Sequence, residues 1–486
     1  MENSDAPHIL VLPLPAEGHI KPMFNLSKLL SHRGHKVTFV NTHHNHNCFL
    51  QFTDIASFQT QFPNLHFASI TDGLPQNHPR NGALMNYYPM LISRGPRSLL
   101  AKEFRELFLR LVEKNEQWQP PSCIIADGLM STIVMGIAQE FGVPWIPFRT
   151  YSATCTWVTI HMSKLFQEGT LLQNNQEIEY ISENMKNSST NIPGLGNLLR
   201  NCDLPSYSTI LMANESINRD FYIQETLAMI QASGLILNTF EELEFSIITK
   251  LAAIFPKVYS IGPLHTLYNT IFTTNSSSTH KDGSLRREDK SSITWLDHQK
   301  EKSVLYVSFG TVVKLSLEQL LEFWHGLVNS LKPFLWVIQN DLIPKNLPIE
   351  LEIGTKERGF MIDWVPQEEV LAHPAVGGFL THSGWNSTLE CIIEGKPMLC
   401  WPSIADQPVN SRCVSEQWKI GLNMNGTCDR FIVQKMVKDI MENQMKEFMK
   451  SAKEIAKKAH DSTKENGPSY HNFENLVKYI GLRKVN

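Results

Sequence analysis

Between Val376 and Glu390 an apolar run, Val376-Gly377-Gly378-Phe379-Leu380-Thr381, passes through His382, Ser383 and Gly384 into Trp385-Asn386-Ser387-Thr388-Leu389-Glu390. The pattern predicts a strand that feeds a helix whose first turn is built from Ser, Gly, Asn and Thr. The unpaired main-chain N–H groups of such a turn point outward and the macrodipole adds about half a positive charge, so the junction suits phosphate oxygens without a metal. Two further reactive types occur in the first half. His19 closes Pro15-Ala16-Glu17-Gly18-His19, where an apolar run gives way to a helix, and Asp127 ends Ser122-Cys123-Ile124-Ile125-Ala126-Asp127. An imidazole with a pKa of about 6.5 can accept a proton near neutral pH. Both residues fall at the carboxyl ends of predicted strands, where doubly wound sheets place their ligands. Taken singly, each residue has a plainer reading: Gly18-His19 as a turn, Asp127 as a helix cap, His382 as a structural histidine, Glu390 as a solvated helix charge, Trp364 and Trp385 as core aromatics.

The elements that position these residues follow an α/β rhythm. An apolar run over 8–14, an amphipathic helix over 22–32 closed by Gly34, and a strand over 36–41 make one βαβ unit. The rhythm recurs with a strand over 122–127, a helix over 131–141 and a strand over 145–148, and restarts with strands over 303–309 and 333–338 around a helix capped by Ser316. A chain of 486 residues exceeds one ordinary core and reads as two domains. Residues 265–293 turn to Thr, Asn, Ser and charge, which reads as a linker. With 42% hydrophobic and 19% charged residues and a net charge of -4, the composition is that of a soluble enzyme with no pull toward nucleic acid or an acidic membrane. Eight scattered cysteines without CxxC or Cys/His spacing read as free thiols in a reducing compartment. The short apolar run near the start is broken by Pro13 and Pro15 and reads as a first strand, not a signal peptide. No stretch reaches the roughly 18 apolar residues of a membrane span. A cytoplasmic monomer is expected, and the Asn275-Ser276-Ser277 sequon should then be idle.

The run from Trp364 to Gln407 resembles the signature box of plant family-1 UDP-sugar glycosyltransferases, which opens with Trp, carries His-Ser-Gly-Trp-Asn-Ser and closes with Asp-Gln. The resemblance spans essentially the whole chain and implies an α/β fold of GT-B architecture, two doubly wound Rossmann-like domains facing a cleft. It implies an acceptor-binding domain over 1–255, a linker region over 256–293, a UDP-sugar domain over 294–468, and a last helix over 469–486 returning to the first domain. Carried over residue by residue, Trp364 stacks on uracil, Gln367 sits by ribose and base, and Glu390 accepts from the ribose hydroxyls. His382 holds the diphosphate and Asn386 and Ser387 donate to its oxygens. Trp385, Asp406 and Gln407 bond the sugar, and Gln at the last position accompanies glucose. His19 is the general base and Asp127 its orienting partner; Thr150 lies near the sugar and Thr311 near phosphate.

The reaction so implied is an inverting transfer of glucose from UDP-glucose to a small acceptor, giving a β-glucoside with no covalent enzyme intermediate. UDP-glucose is a cosubstrate, and no cofactor is expected. The chain has no Asp-x-Asp to hold a metal–diphosphate, and His43-His44-Asn45-His46 reads as loop or acceptor-pocket lining. Gly-x-Gly-x-x-Gly, a phosphate loop and the hydrolase elbow are all missing. The alternatives are a noncatalytic UDP-sugar-binding protein, against which His19 and Asp127 together argue, and a nucleotide-sugar hydrolase or isomerase on the same scaffold. Segments such as Ile70-Thr71-Asp72-Gly73-Leu74-Pro75 resemble the branch of 7-deoxyloganetic acid and terpenoid glucosyltransferases, which implies an iridoid or other terpenoid acceptor, with a phenolic as the alternative. Glu17 and Lys21 depart from the usual opening. Lys21 either attracts an acidic acceptor or pairs with Glu17.

Overall fold

The computed structural model describes residues 6–75, 78, 80, 98–113, 120–167, 187–205, 216–273, 289–311, 313, 315–338, 343 and 348–482. The sequon at Asn275 lies outside them. The chain forms two compact units, the first from Met1–Ser182, Tyr207–Arg286 and His460–Asn486, the second from Glu183–Ser206 and Arg287–Ala459.

In the first unit β1 (His8–Leu12), β2 (Lys36–Thr42), β3 (Leu65–Ile70), β4 (Pro121–Asp127), β5 (Trp145–Arg149), β6 (Leu235–Leu237) and β7 (Val258–Ser260) form a sheet in the order β3-β2-β1-β4-β5-β6-β7. Every pair is parallel. Helices cover both faces, so the central strands carry continuous buried runs, Ile9–Leu12 in β1 and Cys123–Ala126 in β4, instead of alternating. Ile9 and Val11 pack with Leu26 and Leu29 on one side, while Leu10 and Leu12 pack with Phe104 and Ile133 on the other. The strand order reverses between β1 and β4.

The second unit repeats this plan with β8 (Val304–Ser308), β9 (Phe334–Val337), β10 (Gly359–Ile362), β11 (Val376–Thr381), β12 (Met398–Cys400) and β13 (Gly421–Asn423). Their order is β10-β9-β8-β11-β12-β13, again all parallel. The order reverses between β8 and β11. Leu305, Val307, Trp336, Leu380 and Leu399 pack there with Phe323 and Trp324, which come from the helix Leu317–Ser330. Ser316 starts that helix with a reciprocal capping box, its Oγ accepting from the Gln319 N–H at 3.1 Å and its own N–H donating to Gln319 Oε1 at 3.0 Å.

Four expectations need correction. The first helix begins at Glu17 and not at Pro22, which sits inside it; His19 therefore belongs to a helical first turn. The region 256–293 is not a linker throughout, because Val258–Ser260 is a strand of the first sheet and Leu264–Thr273 is a helix. Leu264, Leu267 and Ile271, at helical spacing, are buried in the first unit's core, so the polar residues between them mark the helix's outer face. The first half does not stay in one domain: the described part of Glu183–Ser206 groups with the second unit. Arg412 Nε donates to the Leu198 carbonyl at 2.8 Å and Arg200 donates to Asn425 Oδ1 at 2.9 Å. Finally, His43–Phe52 is a helix, capped by Thr42 Oγ1 accepting from the Asn45 N–H, where a loop was expected.

The last helix, Pro468–Gly481, buries Phe473, Leu476 and Ile480 against the first sheet's core. Ser469 donates to the Gly262 carbonyl at 2.6 Å and Asn472 to that of Ser260 at 3.2 Å. Among the described residues no helix is long and apolar enough to cross a membrane, and all eight cysteines are free thiols. Because Phe473 is fully buried, Phe473→Ala should destabilise the protein by about 3–5 kcal/mol through lost burial and a residual cavity. Denaturant unfolding monitored at equilibrium would check this, and a loss below about 1 kcal/mol would mean that the last helix is only loosely attached.

Candidate active site

Each sheet has one point where the strand order reverses, and there the loops leaving two neighbouring strands diverge and open a crevice at the carboxyl edge. In the first unit the loops are those after β1 and β4. The loop after β1 is short. The Ala16 N–H donates to the Leu14 carbonyl at 2.7 Å, and Ala16 in turn accepts from the N–H groups of His19 and Ile20. His19 thus rises from a rigid helix start. Asp127 is the last residue of β4 and is 1% exposed. One of its carboxylate oxygens accepts from the Leu129 N–H at 2.9 Å; the other lies 2.6 Å from His19 Nδ1. Thr150, directly after β5, brings its Oγ1 to 2.8 Å from the same Nδ1.

This arrangement decides the tautomer. A carboxylate only accepts, so the shared proton belongs on Nδ1, and Nε2 keeps its lone pair. The His19 side chain retains 22% of its accessible surface, which leaves the ring able to meet a substrate. Thr150 was expected beside the sugar. Its hydroxyl meets the imidazole, and the three side chains form one cluster. Lys21 is exposed and lies one turn from Glu17 on the same helix, a spacing that suits pairing.

In the second unit the reversal lies between β8 and β11. Gly310 and Thr311 follow β8; His382 follows β11. The His382 ring is cradled between two glycines: a Cβ on Gly310 would come within 2.7 Å of its Cε1 and Nε2, and one on Gly384 within 2.5 Å of Nε2. Gly310 also has φ +71° and Ser383 φ +65°, a left-handed backbone that favours glycine at the first position. Burial pushes the His382 pKa down to about 4, against a smaller opposing pull from the Ser308 main chain. At neutral pH His382 is therefore a neutral ring that can offer a hydrogen bond but no charge. Its buried Nδ1 has no hydrogen-bond partner in the protein.

Gly384 is the N-cap of the helix Trp385–Ile393 and supplies no side-chain cap. Trp385 itself is 3% exposed, its ring packed 6.2 Å from that of Trp418. Behind the helix, Gln367 is a hub. Its Oε1 accepts from Tyr306 Oη at 2.9 Å, and its Nε2 donates to Ser387 Oγ at 2.9 Å and to Glu390 Oε2 at 2.7 Å. Ser387 and Glu390, three residues apart, share one helix face. Because Gln367 occupies one acceptor site on Ser387, the Ser387 hydroxyl proton stays available to a ligand. Trp364 lies half-buried just before this hub, three residues upstream of Gln367.

The loop after β12 carries Asp406 and Gln407. Gln407 Oε1 accepts from the Ser403 and Ile404 N–H groups at 2.9 and 3.0 Å. That fixes the amide's orientation and leaves its NH2 as the group a ligand would meet. Asn410 ties the loop to the helix start, its Nδ2 donating to the Ser383 carbonyl at 3.0 Å and to Asp406 Oδ2 at 2.6 Å. Asn410 and Gly310 went unread in the sequence as site-building residues. Among the described residues, no three His, Cys, Asp or Glu side chains converge as metal ligands would.

Residues 216–461 match the family described as UDP-glucoronosyl and UDP-glucosyl transferase, and 7-deoxyloganetic acid glucosyltransferase of Catharanthus roseus is 42% identical over 99% of this chain and 98% of its own. The chain belongs to that family. Mogroside I-A1 synthase of Siraitia grosvenorii is 39% identical over 94% of this chain and 85% of its own. Among solved structures, Os79 from O. sativa in complex with UDP superposes with a TM-score of 0.79 at 25% identity, covering 97% of this chain and all of that one. The protein is accordingly a UDP-glucosyltransferase with the two Rossmann-like domains of the GT-B fold. His19, Asp127 and Thr150 belong to its first unit, and the other site residues to its second.

The glycine cradle generates a test. Gly310→Ala combines an unfavourable φ with a clash against the His382 ring, so UDP affinity measured by calorimetry should fall about tenfold or more. Wild-type affinity in a folded variant would show that His382 need not hold its present place.

Proposed function

We propose that this enzyme transfers glucose from UDP-glucose to a hydroxyl or carboxyl of a small, mostly apolar metabolite, an iridoid or other terpenoid, with inversion to a β-glucoside. The observation that carries the reading is the double hold on His19 Nδ1 by Asp127 Oδ2 and Thr150 Oγ1, which turns Nε2 into a base. The acceptor O–H gives its proton to Nε2 as the oxygen bonds to the anomeric carbon. The bond from that carbon to the diphosphate oxygen breaks, and its electron pair leaves with UDP. Asp127 steadies the imidazolium that forms, as the aspartate does in hydrolase triads.

Leaving-group charge is met by the first-turn amides at Trp385–Ser387 and by a hydrogen bond from neutral His382, with no cofactor required. The Gln407 amide and Asp406 would hold the sugar, Glu390 the ribose hydroxyls, Gln367 the base edge, with Trp364 stacked on uracil and Thr311 beside phosphate. Support for the acceptor class comes from the relatives from Catharanthus roseus and Siraitia grosvenorii, which are named for 7-deoxyloganetic acid and a mogroside.

Three measurements bear on this. His19→Ala should lower the transfer rate by about 10²–10⁴-fold while UDP affinity stays within about twofold, since the nucleotide is held in the other unit; an active variant removes the base assignment. With iridoids, other terpenoids and phenolics offered in turn, UDP release should depend on the acceptor. Gln407→Glu keeps the acceptor oxygens for Ser403 and Ile404 but replaces the sugar-facing NH2 with a carboxylate oxygen. It should weaken glucose transfer about tenfold or more with little change in UDP affinity, and unchanged turnover would place the sugar elsewhere.

A further inference from the structure

The two side chains that hold His19 Nδ1 stand at the ends of neighbouring strands, and each strand end runs into a helix that is gripped from behind by a buried glutamate. After Asp127 comes the short turn Gly128–Met130 and then the helix Ser131–Phe141. Its second residue, Thr132, donates its N–H to Glu225 Oε2 at 2.9 Å and bonds Glu225 Oε1 through its hydroxyl. After Thr150 comes the helix Ala153–Gln167. There Glu244 accepts from the N–H groups of Ala153 and Thr154 at 3.0 and 2.8 Å, and from the hydroxyls of Thr154 and Thr239, both at 2.7 Å. Glu225 and Glu244 are each 1% exposed. They arrive from later elements, the helices Ser216–Met229 and Glu241–Leu251. Glu244 adopts φ -134° and ψ 28° inside its helix, a departure from helical geometry at the residue that makes the grip.

We infer that Glu225 and Glu244 are positioning residues for the transfer reaction, fixing Asp127 and Thr150 respectively so that both stay on His19 Nδ1. Neither touches substrate. Each satisfies first-turn N–H groups that would otherwise be buried without partners, and so fixes where the preceding strand end stops. The two strand ends are also locked to each other: the Arg149 side chain lies over Gly128, where a Cβ would meet its Cδ at 2.4 Å, and its guanidinium stacks 3.7 Å above the Tyr151 ring. Hydrogen bonds in a catalytic constellation tolerate about half an ångström of displacement before rate is lost. The two grips differ in chemistry. Four donors converge on Glu244, whereas Glu225 holds the N–H and hydroxyl of Thr132 with a smaller main-chain pull from Ser131, and burial pushes its pKa up to about 8. A neutral carboxyl can donate to one partner and accept from the other, which a glutamine can imitate.

The inference rests on His19 acting as the base, and its test is read by kcat, by KM for UDP-glucose and by coupling between variants. Glu244→Gln turns an NH2 toward one of the two gripped N–H groups, leaving that N–H unpaired, and should lower kcat about tenfold or more, with KM for UDP-glucose within about twofold. Combined with Thr150→Val, it should add less than about twofold. Glu225→Gln should keep kcat within about threefold of wild type, whereas Glu225→Leu should lose it, and Glu225→Leu should add little in an Asp127→Asn background. Losses that multiply in those backgrounds, or wild-type kcat in folded Glu244→Gln and Glu225→Leu, overturn the inference. Should those variants fail to fold, Thr239→Val, which removes one of Glu244's four bonds, must lower kcat at constant KM, and wild-type kcat in folded Thr239→Val overturns it equally. An active His19→Ala would defeat the base assignment itself, whereas an inactive His19→Ala beside indifferent glutamate variants defeats this inference alone.

Discussion

The structure turns on one shared nitrogen. His19 Nδ1 is claimed at 2.6 Å by Asp127 and at 2.8 Å by Thr150, and everything asked of the first unit follows from keeping those contacts. They come from three different strand ends, after β1, β4 and β5, which only a parallel sheet with a reversal at β1/β4 brings side by side. A ring so held has one tautomer and one orientation, and the entropy of aligning it is lost during folding instead of during reaction.

The second unit solves a different electrostatic problem with the same topology. Its reversal at β8/β11 collects Gly310, Thr311 and His382, but here burial holds the histidine neutral. In the proposed reaction a diphosphate meeting a fixed positive side chain would be slow to leave, whereas one meeting helix amides and a neutral ring would be held by directed hydrogen bonds. Gln367 and Asn410 serve this site from behind, the first orienting Ser387 and Glu390, the second tying the Asp406 loop to Ser383. The two histidines have different surroundings: Asp127 and Thr150 stand against the ring of one, and two glycines flank the ring of the other.

Much of this was legible in the sequence for definite reasons. Strands buried on both faces leave continuous apolar runs, and His19, Asp127 and His382 each stand where such a run ends. The order and spacing from Trp364 to Gln407 carried the family. What stayed hidden has physical causes too. The helix over 264–273 looked like a linker because its outer face is polar, although Leu264, Leu267 and Ile271 kept helical spacing. Glu225 and Glu244 look like ordinary solvated helix charges; their burial depends on helices far earlier in the chain, which no local pattern records. Thr150 was read by analogy to the sugar site, while its contact with His19 arises only from the pairing of β4 with β5. The crossing of 183–206 to the second unit depends on arginines at 200 and 412, whose partners are distant in sequence.

The central claim, that Nε2 of His19 is left as the base because Nδ1 is held, is tested most directly by nitrogen-15 NMR of the protein labelled at histidine, with His19→Gln to assign the signals. The account predicts that the neutral form of the His19 ring carries its proton on Nδ1, and that this preference is lost in Asp127→Asn. A His19 ring carrying its proton on Nε2 in the unmodified enzyme would contradict it.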